Sequence, residues 1–148
     1  MSISGNPQTW TKESLLQAAR LDRALMPFSW SETEWLELGP DHLLYLWHRG
    51  GEVIGLALFA ANVHDDVAHL LKIAMDPDFR GTGESQQFWE EILNHWKIDS
   101  WSRIFLEVQE SNLAAINFYK KVGFKELRHI PRFYSNGDGA YTMQCELR

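Results

Sequence analysis

One cysteine, Cys145, stands in 148 residues, which excludes an internal disulfide and any zinc site built from several thiolates. A reducing compartment fits. No hydrophobic run is long: the longest apolar stretch, residues 53–61, is far too short to cross a bilayer. The segment Met1-Ser2-Ile3-Ser4-Gly5 lacks the basic-then-apolar pattern of a signal, so a soluble, cytoplasmic protein is expected. Basic residues are in deficit. Fourteen Lys and Arg stand against twenty Asp and Glu, and a net charge of −6 has the wrong sign for a nucleic-acid or anionic-membrane binder. A basic partner or a small ligand fits better, on a monomer or weak dimer. The six histidines, His42, His48, His64, His69, His95 and His129, show neither H-x-x-x-H nor H-E-x-x-H spacing, so no metal site is expected and they read as surface or satisfied core residues. Repeats and low-complexity linkers are absent as well. What is present is 45% hydrophobic and 13% aromatic residues. A chain of this length buries roughly two-thirds of its unfolded surface in one core, so a single domain over residues 1–148 is expected.

The pattern changes from helical to strand-rich near Gly39-Pro40. Thr11 is placed to cap a helix through about Met26, with Leu15, Leu16, Ala19 and Leu25 as its apolar stripe. Ser31-Glu32-Thr33-Glu34 has the S-x-x-E spacing of a capping box. Strands over residues 43–49 and 53–63 are joined by a Gly50-Gly51 hairpin turn, and a third, over residues 67–75, pairs through His64-Asp65-Asp66. After Asp76-Pro77, an Arg80-Gly81-Thr82-Gly83 turn leads into a helix with Phe88, Trp89, Ile92, Leu93 and Trp96 at helical spacing, which reads as core packing. Residues 103–109 alternate as a strand, residues 113–122 form a helix ending at Gly123, and two more strands follow around Asn136-Gly137. Antiparallel strands feeding a βαβα section predict an α/β (α+β) fold, a mixed sheet with helices on both faces.

A glycine turn between strand and helix leaves backbone N–H groups at the positive end of the helix dipole, a ready anion site. A P-loop would need Gly-Lys-Ser/Thr, and a dinucleotide fingerprint would need glycine where Gln86 stands; neither is met. What remains is Arg80-x-x-Gly83-x-Ser85. By itself this is as consistent with an ordinary helix start as with a pyrophosphate cradle.

A second constellation follows in one strand-helix-strand unit: Leu106-Glu107-Val108-Gln109-Glu110-Ser111-Asn112, then Ala115-Ile116-Asn117-Phe118-Tyr119-Lys120-Lys121-Val122-Gly123-Phe124. This string, with Arg80-x-x-Gly83-x-Ser85, resembles the GNAT superfamily of N-acetyltransferases, and within it the RimI-type ribosomal-protein-alanine N-alpha-acetyltransferase branch. The resemblance extends from Pro27-Phe28-Ser29-Trp30-Ser31 through Ile73-Ala74-Met75-Asp76-Pro77 to the final strand, and only the first 25 or so residues match poorly.

The resemblance implies the GNAT fold, a mostly antiparallel sheet of six to seven strands, and direct acetyl transfer from acetyl-coenzyme A to an amine, with no metal and no covalent acyl-enzyme. It makes Glu107 the general base and Tyr119 the acid that protonates the departing thiolate. An amine is protonated at neutral pH and attacks only after losing a proton, so a positioned carboxylate is chemically apt. From the residues alone, Glu107 reads equally as a strand-face polar group and Tyr119 as a core tyrosine. The coenzyme would lie along Ile73, Ala74 and Met75, with a backbone N–H near Met75 facing the thioester oxygen. Its diphosphate would sit on Arg80, Gly81, Thr82, Gly83, Glu84, Ser85 and Gln86, and Asn112 would hold the arm from the other side. Trp30, Phe133 and Tyr134 are the implied walls of the acceptor groove.

Two positions depart from the family pattern, Ser85 for glycine or alanine and Glu84 for an aliphatic residue. Serine is small and its hydroxyl can donate to a phosphate oxygen. A carboxylate at Glu84 is expected to repel a diphosphate at the same helix pole unless the side chain turns outward. The acceptor implied is the N-terminal amine of a protein, ribosomal and basic. A small amine, a lysine side chain, or a coenzyme-binding module that has lost turnover are the other readings.

Overall fold

The structure is a computed structural model that describes residues 10–61, 66–96 and 101–147, and the backbone of residues 2–5. Helix α1 (Lys12–Leu25) starts where the Thr11 side chain accepts the Ser14 N–H at 3.1 Å, and it buries Leu15, Ala18, Ala19 and Asp22. Helix α2 (Glu32–Leu36) carries the full capping box. Ser31 Oγ accepts the Glu34 N–H at 3.1 Å, while Glu34 Oε1 accepts the Ser31 N–H at 3.2 Å. Its one buried side chain is Trp35.

Seven strands follow one sheet: β1 (Ser2–Gly5), β2 (His42–Arg49), β3 (Glu52–Ala60), β4 (Val67–Met75), β5 (Arg103–Gln109), β6 (Lys125–Ile130) and β7 (Ala140–Glu146), in the order β1-β2-β3-β4-β5-β7-β6. Strand β1 is an addition to the expected set. Gly50 and Gly51 take φ of 57° and 82°, the left-handed conformation that a two-residue hairpin needs. His64 and Asp65, the expected β3–β4 turn, lie outside the described residues. The Asn136-Gly137 turn is present, but within a longer connection, residues 131–139. There Gly137 N–H donates to Tyr134 O at 3.0 Å and Tyr134 N–H to Asp138 O at 2.9 Å.

Only β4 and β5 run parallel, joined by the crossover helix α3 (Glu84–His95). Helix α4 (Leu113–Lys121) then leads toward β6. One core packs Phe88, Trp89 and Ile92 of α3 and Ile116 and Tyr119 of α4 on the sheet; the other packs Leu15, Ala18 and Ala19 of α1 and Trp35 of α2 against Leu44, Leu46, Leu56 and Leu58. The sheet thus has helices on both faces.

An irregularity in β4 creates the site. Leu58 pairs with Lys72 and Phe59 with Leu70, so Leu71 is an extra residue, a β-bulge. A bulge bends its strand and breaks the ladder locally. Accordingly β4 pairs with β5 only over Val67, Ala68 and His69, opposite Arg103, Ile104 and Phe105. Past that last rung the two strands part, and a cleft opens between them.

Candidate active site

The cleft has a volume of about 670 Å³ and crosses the sheet from the start of α3 to the loop after β6. Along one wall run Ile73, Ala74 and Met75, which pair with β3 on their far side through Ala57, Leu56 and Gly55. Glu107 and Asn112 line the opposite wall, and Tyr119 reaches the cleft from α4. Asn112 also caps α4, its Oδ1 accepting the Ala115 N–H at 3.2 Å.

At one end lies the glycine turn. Gly81 and Gly83 have φ of 75° and 86°, and Gly83 is the N-cap of α3 with no side-chain cap. The first helical amide bond is Gln87 N–H to Gly83 O at 3.0 Å, so the N–H groups of Glu84, Ser85 and Gln86 precede the intrahelical ladder. Together with the dipole they make this a place for an anion. Arg80, Gly81, Gly83, Ser85 and Gln86 line the cleft here, and Arg80 is oriented by a 3.1 Å bond from its Nε to Met75 O. Thr82 does not line it; its hydroxyl donates to Phe79 O at 2.6 Å.

Glu84 does not line the cleft either. Its carboxylate turns inward, 2.8 Å from Arg49 Nη1, with Trp47 Nε1 donating at 3.4 Å. This corrects the expectation of repulsion. The charge is paired with an arginine of β2 and buried beneath the turn, so what Glu84 offers a ligand is its backbone N–H. Glu84→Leu is therefore expected to leave coenzyme A affinity unchanged or weaker by calorimetry. It should cost about 1–3 kcal/mol of stability by stranding the buried Trp47 indole N–H. Tighter binding would contradict this reading.

Near the middle of the cleft stand the two expected proton-transfer groups. Glu107, 22% exposed, points from β5 and lies with its Oε2 2.6 Å from His69 Nε2. Tyr119 is buried, and its hydroxyl is pushed above the ordinary tyrosine range by burial first and by Tyr134 second. It therefore stays protonated across the neutral range. Tyr134 is likewise raised, to about 12, by burial and then by the Glu107 charge.

The far end is built by two loops. Phe28, after α1, stacks on Tyr134 of the β6–β7 loop, ring centroids 5.2 Å apart and planes within 5°. A fully buried carboxylate holds the first loop: Asp22 accepts from Trp30 N–H at 2.8 Å, Trp35 Nε1 at 2.9 Å and Lys72 Nζ at 3.0 Å. Lys72 also donates to Phe28 O at 2.9 Å and lies 5.3 Å over the Trp30 ring. The second loop is tied down by Glu110, which accepts from Gly139 N–H at 3.1 Å and sits 2.6 Å from His129 Nε2. Those two bonds, His129 foremost, hold the Glu110 carboxyl below its usual range.

Of the three aromatic residues expected to wall the acceptor groove, Tyr134 alone lines the cleft. Trp30 is turned away, tilted on Trp35 at 5.2 Å and edge-on to His42 at 6.0 Å. Phe133, 44% exposed, stands perpendicular to Tyr134 outside the cleft. Phe28 takes the place envisaged for Trp30. Sequence reasoning also passed over His69 and the Asp22–Lys72 pair. A signal existed for Asp22, which continues the 15, 18, 19, 22 spacing of a buried helical face, where a charge demands a partner. No groups of three or more potential metal ligands occur among the described residues, and none of their helices is long and apolar enough to cross a membrane.

Comparison with known proteins gives the family and the fold. The Acetyltransferase (GNAT) family pattern matches residues 10–124. An N-alpha-acetyltransferase of Sulfurisphaera tokodaii is 34% identical over 80 residues, 53% of this chain and 48% of that protein. The [ribosomal protein bS18]-alanine N-acetyltransferase of Escherichia coli is 28% identical over 123 residues, 82% of each chain. The crystal structure of the ribosomal-protein-S18-alanine N-acetyltransferase from Escherichia coli superposes with a TM-score of 0.84 at 25% identity, covering 99% of this chain and 93% of that one. With a match over most of its length, a sheet split between its two parallel strands and a glycine turn opening the crossover helix, the chain belongs to the acetyltransferase (GNAT) family.

Proposed function

We propose that this chain transfers an acetyl group from acetyl-coenzyme A to the N-terminal alpha-amine of a protein, with Glu107 as base and Tyr119 as acid. The observation that carries the reading is that one cleft holds both groups and ends on the free amides of α3. Arg80, Gly81, Gly83 and the amides of Glu84, Ser85 and Gln86 would hold the diphosphate. Ile73, Ala74, Met75 and Asn112 would flank the arm. The coenzyme supplies an acyl group activated as a thioester.

The chain's own residues manage the protons. Glu107 takes one from the incoming ammonium, so that a lone pair becomes available for attack. Tyr119, kept protonated by burial, donates its O–H to the departing sulfur. Phe28 and Tyr134 form an aromatic clamp at the acceptor end, and Glu107 gives the cleft beside it a negative charge suited to a basic N-terminal tail. A ribosomal-protein N-terminus beginning with alanine is the acceptor we propose.

The test is intact-mass analysis of a mixture of alanine-initiated basic peptides, N-terminally blocked lysine peptides and small polyamines, incubated with the chain and acetyl-coenzyme A. Acetylation confined to free peptide N-termini is the expected result. Modification of the blocked peptides or polyamines alone would reassign the acceptor, and thiol release with no acceptor modified would reject transfer.

A further inference from the structure

Gly81 and Gly83 give the turn ahead of α3 little to hold its shape. A Cβ added at either would meet no atom within 4 Å, and both have the left-handed backbone open to glycine, so neither packing nor steric restriction fixes them. Other residues must do so. The Thr82 hydroxyl spans part of the turn, donating to Phe79 O at 2.6 Å. The rest is spanned by one side chain from another element, Arg49, the last residue of β2.

Arg49 Nη1 donates to Glu84 Oε2 at 2.8 Å on the helix side of the turn, and the same guanidinium lies 5.0 Å from the Phe79 ring centroid on the strand side. One planar cation thus bridges residues 79 and 84. Arginine suits this place because its flat face stacks on a ring while its edge donates hydrogen bonds. Trp47 and Arg49, two residues apart on β2, share a strand face, and both reach the Glu84 carboxylate, the indole Nε1 at 3.4 Å. Trp47 also packs on Phe88 at 5.4 Å, which seats the start of α3 on the sheet. Arg49 is itself placed by the β2–β3 hairpin, where it stands opposite Glu52.

Arg80, Gly81 and Gly83 line the large cleft, but Arg49 does not. We propose that Arg49 is a positioning residue for the coenzyme: through Phe79 and Glu84 it clamps the glycine turn in the shape that receives a diphosphate. The inference rests on the coenzyme reading above. A turn already held in its receiving shape loses little freedom when the ligand arrives, whereas two unrestrained glycines lose much.

The experiment measures coenzyme A affinity by calorimetry for wild type, Arg49→Met, Arg49→Lys, Glu84→Leu and the Arg49→Met/Glu84→Leu double variant. Steady-state kinetics on an alanine-initiated peptide and amide hydrogen exchange of the free proteins accompany it. Arg49→Met should raise the Kd for coenzyme A, and with it the KM for acetyl-coenzyme A, roughly three- to tenfold. The kcat at saturating acetyl-coenzyme A and the KM for the peptide should stay within about twofold. Arg49→Lys keeps a charge on Glu84 but not the flat group over Phe79, so its loss should be smaller and in the same direction. Exchange should quicken at the bonded amides on either side of the turn, Arg80 N–H on Pro77 O and Gln87 N–H on Gly83 O, but not in β5. In the Glu84→Leu background Arg49 has no carboxylate to hold, so adding Arg49→Met should cost no more than about twofold. Wild-type affinity in Arg49→Met, or in Arg49→Lys should the methionine variant not fold, would overturn the clamp and leave the coenzyme site intact. So would unchanged exchange at those two amides, or an equal loss in both backgrounds, which would make Arg49 a direct contact of the phosphates. A wild-type chain that binds no coenzyme A would overturn the coenzyme reading, and the clamp's role with it.

Discussion

Replacing Glu107 by glutamine is expected to lower kcat by about 10²–10⁴-fold, with affinity for coenzyme A changed by no more than about twofold. The asymmetry follows from position. The carboxylate lies mid-cleft, bonded to His69, whereas the anion site is at the start of α3. Glutamine keeps the size and one hydrogen-bonding oxygen but cannot take up a proton. The variant must wait for amine that arrives already neutral. Its rate should therefore climb with pH toward the ordinary α-amino pKa of about 7.7–8.0, where the wild-type rate has already levelled. Kinetics on an alanine-initiated peptide, with calorimetry of coenzyme binding, would check both halves. An unchanged kcat would remove Glu107 from the chemistry.

The second large effect lies beside the chemistry. Lys72→Met should destabilise the chain by about 3–5 kcal/mol, because it leaves the Asp22 carboxylate buried without its cation. Asp22 organises the turn after α1 through Trp30 and Trp35, and Lys72 fastens Phe28 to β4. The loss should appear twice, in denaturant midpoint and in a raised KM for the peptide acceptor, since Phe28 stacks on Tyr134 at that end. Removing both charges in Asp22→Asn/Lys72→Met should recover part of the stability but not the KM. A single variant within about 1 kcal/mol of wild type would show the pair to be dispensable.

How much of this was legible beforehand depended on the range of the interactions. Capping at Thr11 and Ser31, the Gly50-Gly51 hairpin and the turn ahead of α3 are local, and each was readable because a few adjacent residues set the backbone. The string around Glu107 and Tyr119 was readable only through its resemblance to a family; the residues alone left the role of each side chain open. What could not be read was pairing across distance. Arg49 neutralises Glu84 from 35 residues away, and His69 meets Glu107 over 38. The first depends on where α3 packs against β2 and the second on the register of β4 against β5, and the bulge at Leu71 that parts those strands is not revealed by alternation alone. Trp30 was named as a groove wall through the family resemblance. Its backbone N–H is held by Asp22 and its ring packs on Trp35, which leaves Phe28 to face the cleft.

The central claim is that the amides behind Gly83 and the parted edge of β4 form one coenzyme site. Calorimetric titration of the purified chain with coenzyme A tests it most directly, because binding does not depend on which acceptor is right. Saturable one-to-one binding, competed by acetyl-coenzyme A, is the predicted result. No detectable binding at millimolar coenzyme would contradict the account.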